Sequence, residues 1–358
     1  MNSTQAALLD RPKASPSARP ASGGNPMVVF TGPGKVELQD HPIPAAFPGQ
    51  VLIRTSKTLI STGTELTVLS GDFPQGSRWE EYARFPFLAG YDNVGTIVET
   101  GEGVDATLTG RKVATYGKHA RFTTCAAADL RLLPEGIREE QAVFFTIAEI
   151  AMNGVRRGGV EWGEAVAVYG QGLLGQLAAR ICRLAGAKPV LAIDPAESRL
   201  ARLPNDPAIL RVNPKREEVE ARIQSATGGR LVDVVFEVTG AADLIAGEFR
   251  GLRPQGRFVV LSSPRGKSLL DLHDLCNAPS FTIIGAHNGS HPAQATPQTP
   301  WTKARHNELF FDLLVDGSLD LSPLISDRAS YREAPALYAQ LLADRSASMG
   351  VVLDWEGD

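Results

Sequence analysis

VAVYGQGLLGQLAARICRLAGA, Val166–Ala187, is the stretch that decides the fold. Its start belongs to an apolar run, EAVAVYG (Glu164–Gly170), of the length and composition of a buried strand. From Leu173 the apolar residues fall at Leu173, Leu174, Leu177, Ala178, Ile181, Leu184 and Ala185, the spacing of one helix face. Between strand and helix stands Gly170-Gln171-Gly172-Leu173-Leu174-Gly175. A lone GxGxxG is weak, but one that closes a strand and opens a helix carries a mechanism. Gly170 permits the tight turn, Gly172 lets backbone approach a pyrophosphate, and Gly175 lets helix and strand pack closely. The helix start then offers its dipole and free N–H groups to phosphate. PVLAID (Pro189–Asp194) reads as the next strand and ends in a carboxylate 19 residues past Gly175. An acid there accepts both ribose hydroxyls and repels a 2′-phosphate, so NAD(H) is expected over NADP(H). Arg199, five residues on, keeps NADP(H) as the alternative if its guanidinium folds back. Thr239, beyond the strand LVDVVFEV, completes the expected cofactor set.

The pattern continues outward on both sides. LVDVVFEV (Leu231–Val238), GRFVVLS (Gly256–Ser262) and FTIIGA (Phe281–Ala286) are further strands separated by helical stretches. Strands buried on both faces and spaced by helices predict a parallel, doubly wound sheet of the Rossmann kind. Upstream, MVVF (Met27–Phe30), VLIRT (Val51–Thr55), VGTIVETG (Val94–Gly101) and KVATY (Lys112–Tyr116) alternate with Gly, Pro and Asp turns, a β-rich unit. Downstream come a polar loop, an amphipathic helix near Lys303–Asp316 and a last strand, GVVLD (Gly350–Asp354). The expected fold class is therefore α/β, with residues 27–148 forming a β-rich unit, 149–286 the dinucleotide unit, and 287–358 a return to the first. Met1–Pro26, rich in Pro, Ala, Ser and Gly, lacks hydrophobic periodicity and is expected to be a disordered tail.

Composition narrows the function classes. The 358 residues carry 36 basic and 40 acidic side chains, a net charge of −4 that argues against a nucleic-acid or anionic-membrane partner. No apolar run reaches the ~18–20 residues that span a bilayer. Three scattered cysteines, Cys125, Cys182 and Cys276, form neither a disulfide framework nor a CxxC metal site, and they fit a reducing, cytoplasmic setting.

The order of parts, with LISTGTELTVLSG (Leu59–Gly71), FPFLAGYDNVGTIVETG (Phe85–Gly101) and VDVVFEVTG (Val232–Gly240), resembles the medium-chain dehydrogenase/reductase superfamily from Met27 onward. The STGTE and Gly-Tyr-acid segments look most like its bacteriochlorophyllide 3-hydroxyethyl dehydrogenase group. The resemblance implies a GroES-like catalytic domain before the Rossmann domain, hydride transfer in the cleft between them, and secondary metabolism as a common setting. Zinc members of the superfamily carry ligands where this chain has Thr62, Tyr91 and Phe145 or Thr146, and the four-cysteine lobe is missing. Zinc wants Cys, His or carboxylate, so no metal is expected. An oxygen cluster of Glu65, Asp92 and Glu149 is the alternative; hydrogen-bonding carboxylates are the preferred reading.

Without zinc, the protein itself must handle the proton. Tyr91 stands where the resemblance puts a zinc-ligand histidine, and Thr64 where zinc members place a relay hydroxyl. Both are catalytic candidates, with Glu65 and Asp92 as orienting partners. A merely structural Tyr91 hydroxyl, and turn-stabilising carboxylates, are the competing readings. Thr62, His119, Glu149, Asn153, Asn288, His291 and Trp301 are the substrate-side candidates. His119 reads more simply as a surface histidine. Glu149 and Asn153 share a helix face. Asn288, His291 and Trp301 follow the last parallel strand at its carboxyl end, where open α/β sheets hold ligands. These residues point to a polar small-molecule substrate such as a sugar, cyclitol or natural-product intermediate. The bacteriochlorophyllide, an enoyl or quinone reduction, and a non-catalytic NAD(P) sensor are the alternatives. The apolar strand Phe281–Ala286, at a sheet edge, predicts a homodimer.

Overall fold

A computed structural model of the chain describes residues 24–357. The expected tail therefore lies almost wholly outside the described residues. Its last two residues do not belong to it, because the first strand already begins at Asn25, buried and bonded to the backbone of Phe122.

Six parallel strands form the central sheet. Their order in space is Ile209–Val212, Val190–Ile193, Val166–Tyr169, Val232–Glu237, Leu252–Val260 and Thr282–Gly285. The first strand in sequence lies in the middle, and the chain winds outward to each side. That reversal opens a crevice at the carboxyl ends of Val166–Tyr169 and its neighbours, the place where such sheets bind ligands. Val166, Ala167 and Val168 are fully buried because helices cover both faces.

A second sheet of seven strands surrounds Gln50–Ile60, which pairs with Asn93–Thr100, Phe122–Ala126 and Gly350–Asp354. Ile325–Ser330 lies parallel to Gly350–Asp354 at its edge, so residues after the central sheet complete the sheet begun before it. A three-stranded sheet, Lys35–His41, Asn25–Gly32 and Phe87–Leu88, packs nearby. The helix Phe145–Arg157 buries ten of its thirteen residues. It packs against both Leu173–Leu184 and Lys303–Val315, which ties the two sheets' surroundings into one core. Among the described residues no helix is long and apolar enough to cross a membrane.

Candidate functional site

The glycine turn has the geometry its mechanism needs. Gly170 adopts φ +90°, a conformation that a side chain would strain. A Cβ on Gly175 would lie 1.8 Å from the Gly170 carbonyl oxygen, so only glycine lets the helix seat there. A Cβ on Gly172 would meet nothing within 4 Å: its surroundings are open. Gly172 caps Leu173–Leu184 without any side-chain bond. The first-turn N–H groups of Leu173, Leu174 and Gly175 thus have no intrahelical partner and border that open space. These residues fit a dinucleotide pyrophosphate. Gln171 plays a different part from the one expected of it. It is fully buried, its side chain bonds the Val168 carbonyl, and its backbone N–H goes to Asp194 Oδ2 at 2.8 Å. Asp194 ends its strand as expected, with Oδ1 accepting from the Ala196 N–H and Arg199 3.5 Å from Oδ2. Thr239 lies against Gly170, its hydroxyl donated to Glu237.

The catalytic candidates divide into two groups. Tyr91 donates its hydroxyl to Ser61 Oγ, with Thr64 Oγ1 at 3.5 Å. Burial and the neighbouring Asp92 carboxyl push the Tyr91 phenol far above its usual range, so it stays protonated. Glu65 is not at the cleft. It is 1% exposed and accepts from the Ser61 N–H, pairs with His119 at 3.1 Å, and takes the Tyr338 hydroxyl. His119 is likewise 0% exposed, neither a surface residue nor a substrate contact. The chain packs it under Gly90, where a Cβ would lie 2.5 Å from the His119 backbone nitrogen.

Asp92 is fully buried, with Oδ1 accepting from Thr146 N–H at 3.2 Å and Oδ2 without a partner. Burial, with Glu65 and Glu149 nearby, raises its carboxyl well above the usual range. Because the folded chain holds a proton that the unfolded chain releases, Asp92 favours folding at low pH and opposes it as pH rises. We expect Asp92→Asn, which mimics the neutral acid, to gain melting temperature over the parent as pH goes from 5 to 8. An advantage that stays constant over that range would show an Asp92 already charged at pH 5.

On the other side, Glu149 gathers residues from three parts of the chain. Its carboxylate accepts from Tyr116 OH at 2.6 Å, Asn288 Nδ2 at 2.8 Å and Asn307 Nδ2 at 3.0 Å, with Lys303 Nζ 3.6 Å away. Tyr116, Lys303, Asn307 and Ser61 were not singled out from the sequence. Tyr116 closes the KVATY run and Asn307 sits four residues beyond Lys303, so position at a strand end and shared helix face were the available signals.

Three substrate-side candidates serve instead to hold the loop after the last strand. Asn153 bonds Ser290 Oγ at 2.9 Å. Trp301 stacks on His306 and lies between Arg156 and Arg305, 3.2 and 3.9 Å from its ring centre. Arg156 Nε can only donate, so His306 Nε2 accepts from it at 3.1 Å. His306 then carries its proton on Nδ1 and donates to His291 Nε2 at 2.8 Å, and His291 Nδ1 donates to the Asn288 carbonyl. Burial and three cationic or imidazole neighbours push His306 down to about 3, consistent with this neutral chain. Thr62 offers its carbonyl to Arg345 at 3.0 Å.

The three positions that resemblance assigns to zinc ligands hold Thr62, Tyr91 and Phe145 or Thr146. Among the described residues no group of three or more His, Cys, Asp or Glu is arranged to hold a metal. Glu65 is committed to its three donors, Asp92 accepts from Thr146, and Glu149 accepts from Tyr116, Asn288 and Asn307, so the carboxylates of that oxygen cluster are already engaged in hydrogen bonds.

Residues 47–169 match the alcohol dehydrogenase GroES-like domain family and residues 174–302 the zinc-binding dehydrogenase family. D-guloside 3-dehydrogenase of Escherichia coli is 27% identical over 350 residues, covering 90% of this chain and 99% of that protein. L-threonine 3-dehydrogenase of Pyrococcus horikoshii is 26% identical over 336 residues, covering 84% and 90%. A zinc-binding dehydrogenase structure from Sinorhizobium meliloti, bound to NADP, shares the fold with TM-score 0.77 at 20% identity, covering 93% of this chain and all of that one. The chain belongs to the medium-chain dehydrogenase/reductase superfamily and is an NAD(P)-dependent oxidoreductase of that type.

Proposed function

We propose that this protein moves hydride between a nicotinamide and a hydroxyl or carbonyl carbon of a polar small molecule, without catalytic zinc. The observation that carries the reading is the polar surround of the cleft. A protonated Tyr91 with two hydroxyl partners forms one polar cluster and the Glu149 array another, and the resemblance puts both at the cleft. When bound, the nicotinamide supplies or takes the hydride. Tyr91 gives its Oη proton to the substrate oxygen during reduction and recovers one through Ser61 or Thr64; oxidation runs the same path backward. Asn288 and Lys303, held by Glu149, present donors to further substrate hydroxyls. The GroES-like relatives that act on a guloside and on threonine support a polar substrate over an enoyl, quinone or bacteriochlorophyllide one.

The edge strand Thr282–Gly285 leaves Ile283 41% exposed, and Leu269 and Leu272 stand exposed in the preceding segment. This edge is the proposed homodimer contact. One preparation tests the whole reading. It should contain far less than one zinc per chain by elemental analysis, scatter light as a dimer, and oxidise members of a sugar and cyclitol panel with NAD⁺ or NADP⁺ in the presence of chelator. Stoichiometric zinc lost together with activity would overturn the zinc-free chemistry. Tight cofactor binding with no turnover across the panel would favour a sensor.

A further inference from the structure

We propose that the substrate carries an anionic group, a carboxylate or a phosphate, and that Arg78, His287 and Lys303 receive it at the mouth of the cleft. The proposal rests on the hydride-transfer reading above and names the substrate class for it. Lys303 then meets this group in place of a neutral hydroxyl.

The three side chains come from three segments that fold to one place. His287 and Asn288 follow the edge strand Thr282–Gly285, at the carboxyl ends of the parallel strands, where such sheets hold ligands. Lys303 opens the helix Lys303–Val315, and its Nζ lies 3.6 Å from Glu149 Oε1, the oxygen that also accepts from Asn288 Nδ2 at 2.8 Å. Lys303 and the turn after His287 therefore share one partner. Arg78 opens the short helix Arg78–Tyr82 of the first unit. Six residues before it, Asp72 reaches Arg265 at 3.7 Å, and Arg265 follows Leu252–Val260, the strand paired with Thr282–Gly285. The segment that carries Arg78 thus crosses to the same carboxyl ends as His287.

All three keep their donors. Among the described residues Arg78 enters no ion pair and no side-chain hydrogen bond; Glu80, on the same helix, is turned back to the Gly76 N–H at 2.6 Å. A guanidinium has five N–H donors in a fork that matches carboxylate and phosphate oxygens. His287 Nδ1 accepts from the Gly289 N–H at 3.1 Å, so the ring carries its proton on Nε2 and offers it outward. Lys303 stands beyond hydrogen-bond distance of Glu149, with its side chain 36% exposed, so its three N–H groups are not spent there.

The charge balance leaves room for one anion. Glu149 is 0% exposed and accepts from Tyr116, Asn288 and Asn307, so its charge is held inside the protein. It offsets Lys303 and leaves the Arg78 charge in excess. Partial burial lowers the proton affinity of His287, and the Lys303 and Arg78 charges lower it further, the response of a ring that faces two cations. A carboxylate or phosphate offsets that excess through charge-assisted bonds, the strong class. The helix beneath ties this place to the reacting end. Thr146, three residues before Glu149, donates its N–H to Asp92 at 3.2 Å and its hydroxyl to the Tyr91 carbonyl at 3.3 Å. The anion is therefore held about one helical turn from the segment that carries the proton donor.

The test compares one carbon skeleton with three endings. Calorimetric titrations of the intact protein with sorbitol, gluconate and sorbitol 6-phosphate are run in the presence of NADH, with inorganic phosphate as the probe that has no skeleton. At least one of the two anionic polyols is expected to bind about tenfold or more tighter than sorbitol, and the one that does tells carboxylate from phosphate. Losing one charge-assisted contact weakens binding by about 10–100-fold. Arg78→Ala and Lys303→Met should each show that loss for the anionic polyol and change sorbitol binding less than about threefold. Arg250→Ala, at a surface ion pair with Glu220, should change neither. Sorbitol binding as tightly as both anionic polyols would overturn the proposal. So would an anion preference that survives both variants, or no binding by any of the four probes. Turnover is read separately with NAD⁺ and NADP⁺. Anion binding at these residues with no oxidation would sink the hydride reading and leave the anion site standing; oxidation of sorbitol with no anion preference would do the reverse.

Discussion

Tyr91→Phe is expected to lower kcat by ~10²–10⁴-fold, the usual contribution of a positioned acid–base group, while dinucleotide affinity stays at the parent level. The substitution keeps the ring and removes one oxygen. Because the phenol is pushed far above its usual range by burial and by Asp92, it works as a proton donor throughout the stable pH range. Its removal should lower turnover without adding a new ionisation to the pH profile. Ser61→Ala separates the two roles of the hydroxyl. If protons pass through Ser61, that variant slows turnover and raises the solvent isotope effect. If Tyr91 only braces the fold, Tyr91→Phe costs ~1 kcal/mol of stability and leaves turnover per folded enzyme unchanged. Glu65→Gln supplies the contrast. It touches a buried carboxylate with three donors, so its loss should appear in melting temperature rather than in kcat.

The second large effect concerns two glycines three residues apart. Gly172→Ala places a methyl group in open space, at a backbone conformation any residue adopts, φ −66° and ψ −175°. The melting temperature should hardly move. Dinucleotide affinity should fall by about a hundredfold, because that methyl occupies the volume a pyrophosphate needs. Gly175→Ala meets the Gly170 carbonyl at 1.8 Å and forces the helix off the strand. Overpacking of this kind costs ~1–3 kcal/mol, so stability and binding should fall together. Calorimetry alongside cofactor titration distinguishes the two variants. A Gly172→Ala protein that binds NADH like wild type would remove the pyrophosphate from this loop.

The parallel sheet was legible because its strands are uninterrupted apolar runs, as burial on both faces demands. Ile209–Val212 escaped notice for the opposite reason. It contains Arg211, whose guanidinium turns back to the carbonyls of Leu200, Leu203 and Pro204 and so disguises a strand as a polar loop. Lys35–His41 and Ile325–Ser330 are also polar, because each has a face toward solvent. At the site, the family resemblance pointed to Tyr91 and Asp92, while spacing along one strand or helix found Glu149 and the glycine turn. It did not reveal that Glu65 and His119 turn inward, since their bond joins residues 54 apart in sequence. Nor did it find Tyr116 and Asn307, which meet Glu149 only once three separate segments have folded. The raised proton affinity of Asp92 and the covering of Asp194 are properties of packing, with no trace in residue type.

The strand Gly350–Asp354 lies between Gln50–Ile60 and Ile325–Ser330, inside a sheet whose five remaining strands all end by Leu132. During synthesis that place stays open until Gly350–Asp354 has been made. The central parallel sheet has all its strands by Gly285 and can assemble on the ribosome, domains generally folding as units while translation proceeds. The earlier-made half, with Tyr91 and Thr64, must wait as an incomplete sheet whose open edge invites foreign strands. Completion of the catalytic side thus waits on Gly350–Asp354, and a nascent polypeptide stalled before that strand would carry a finished nucleotide fold beside an unfinished reaction chamber.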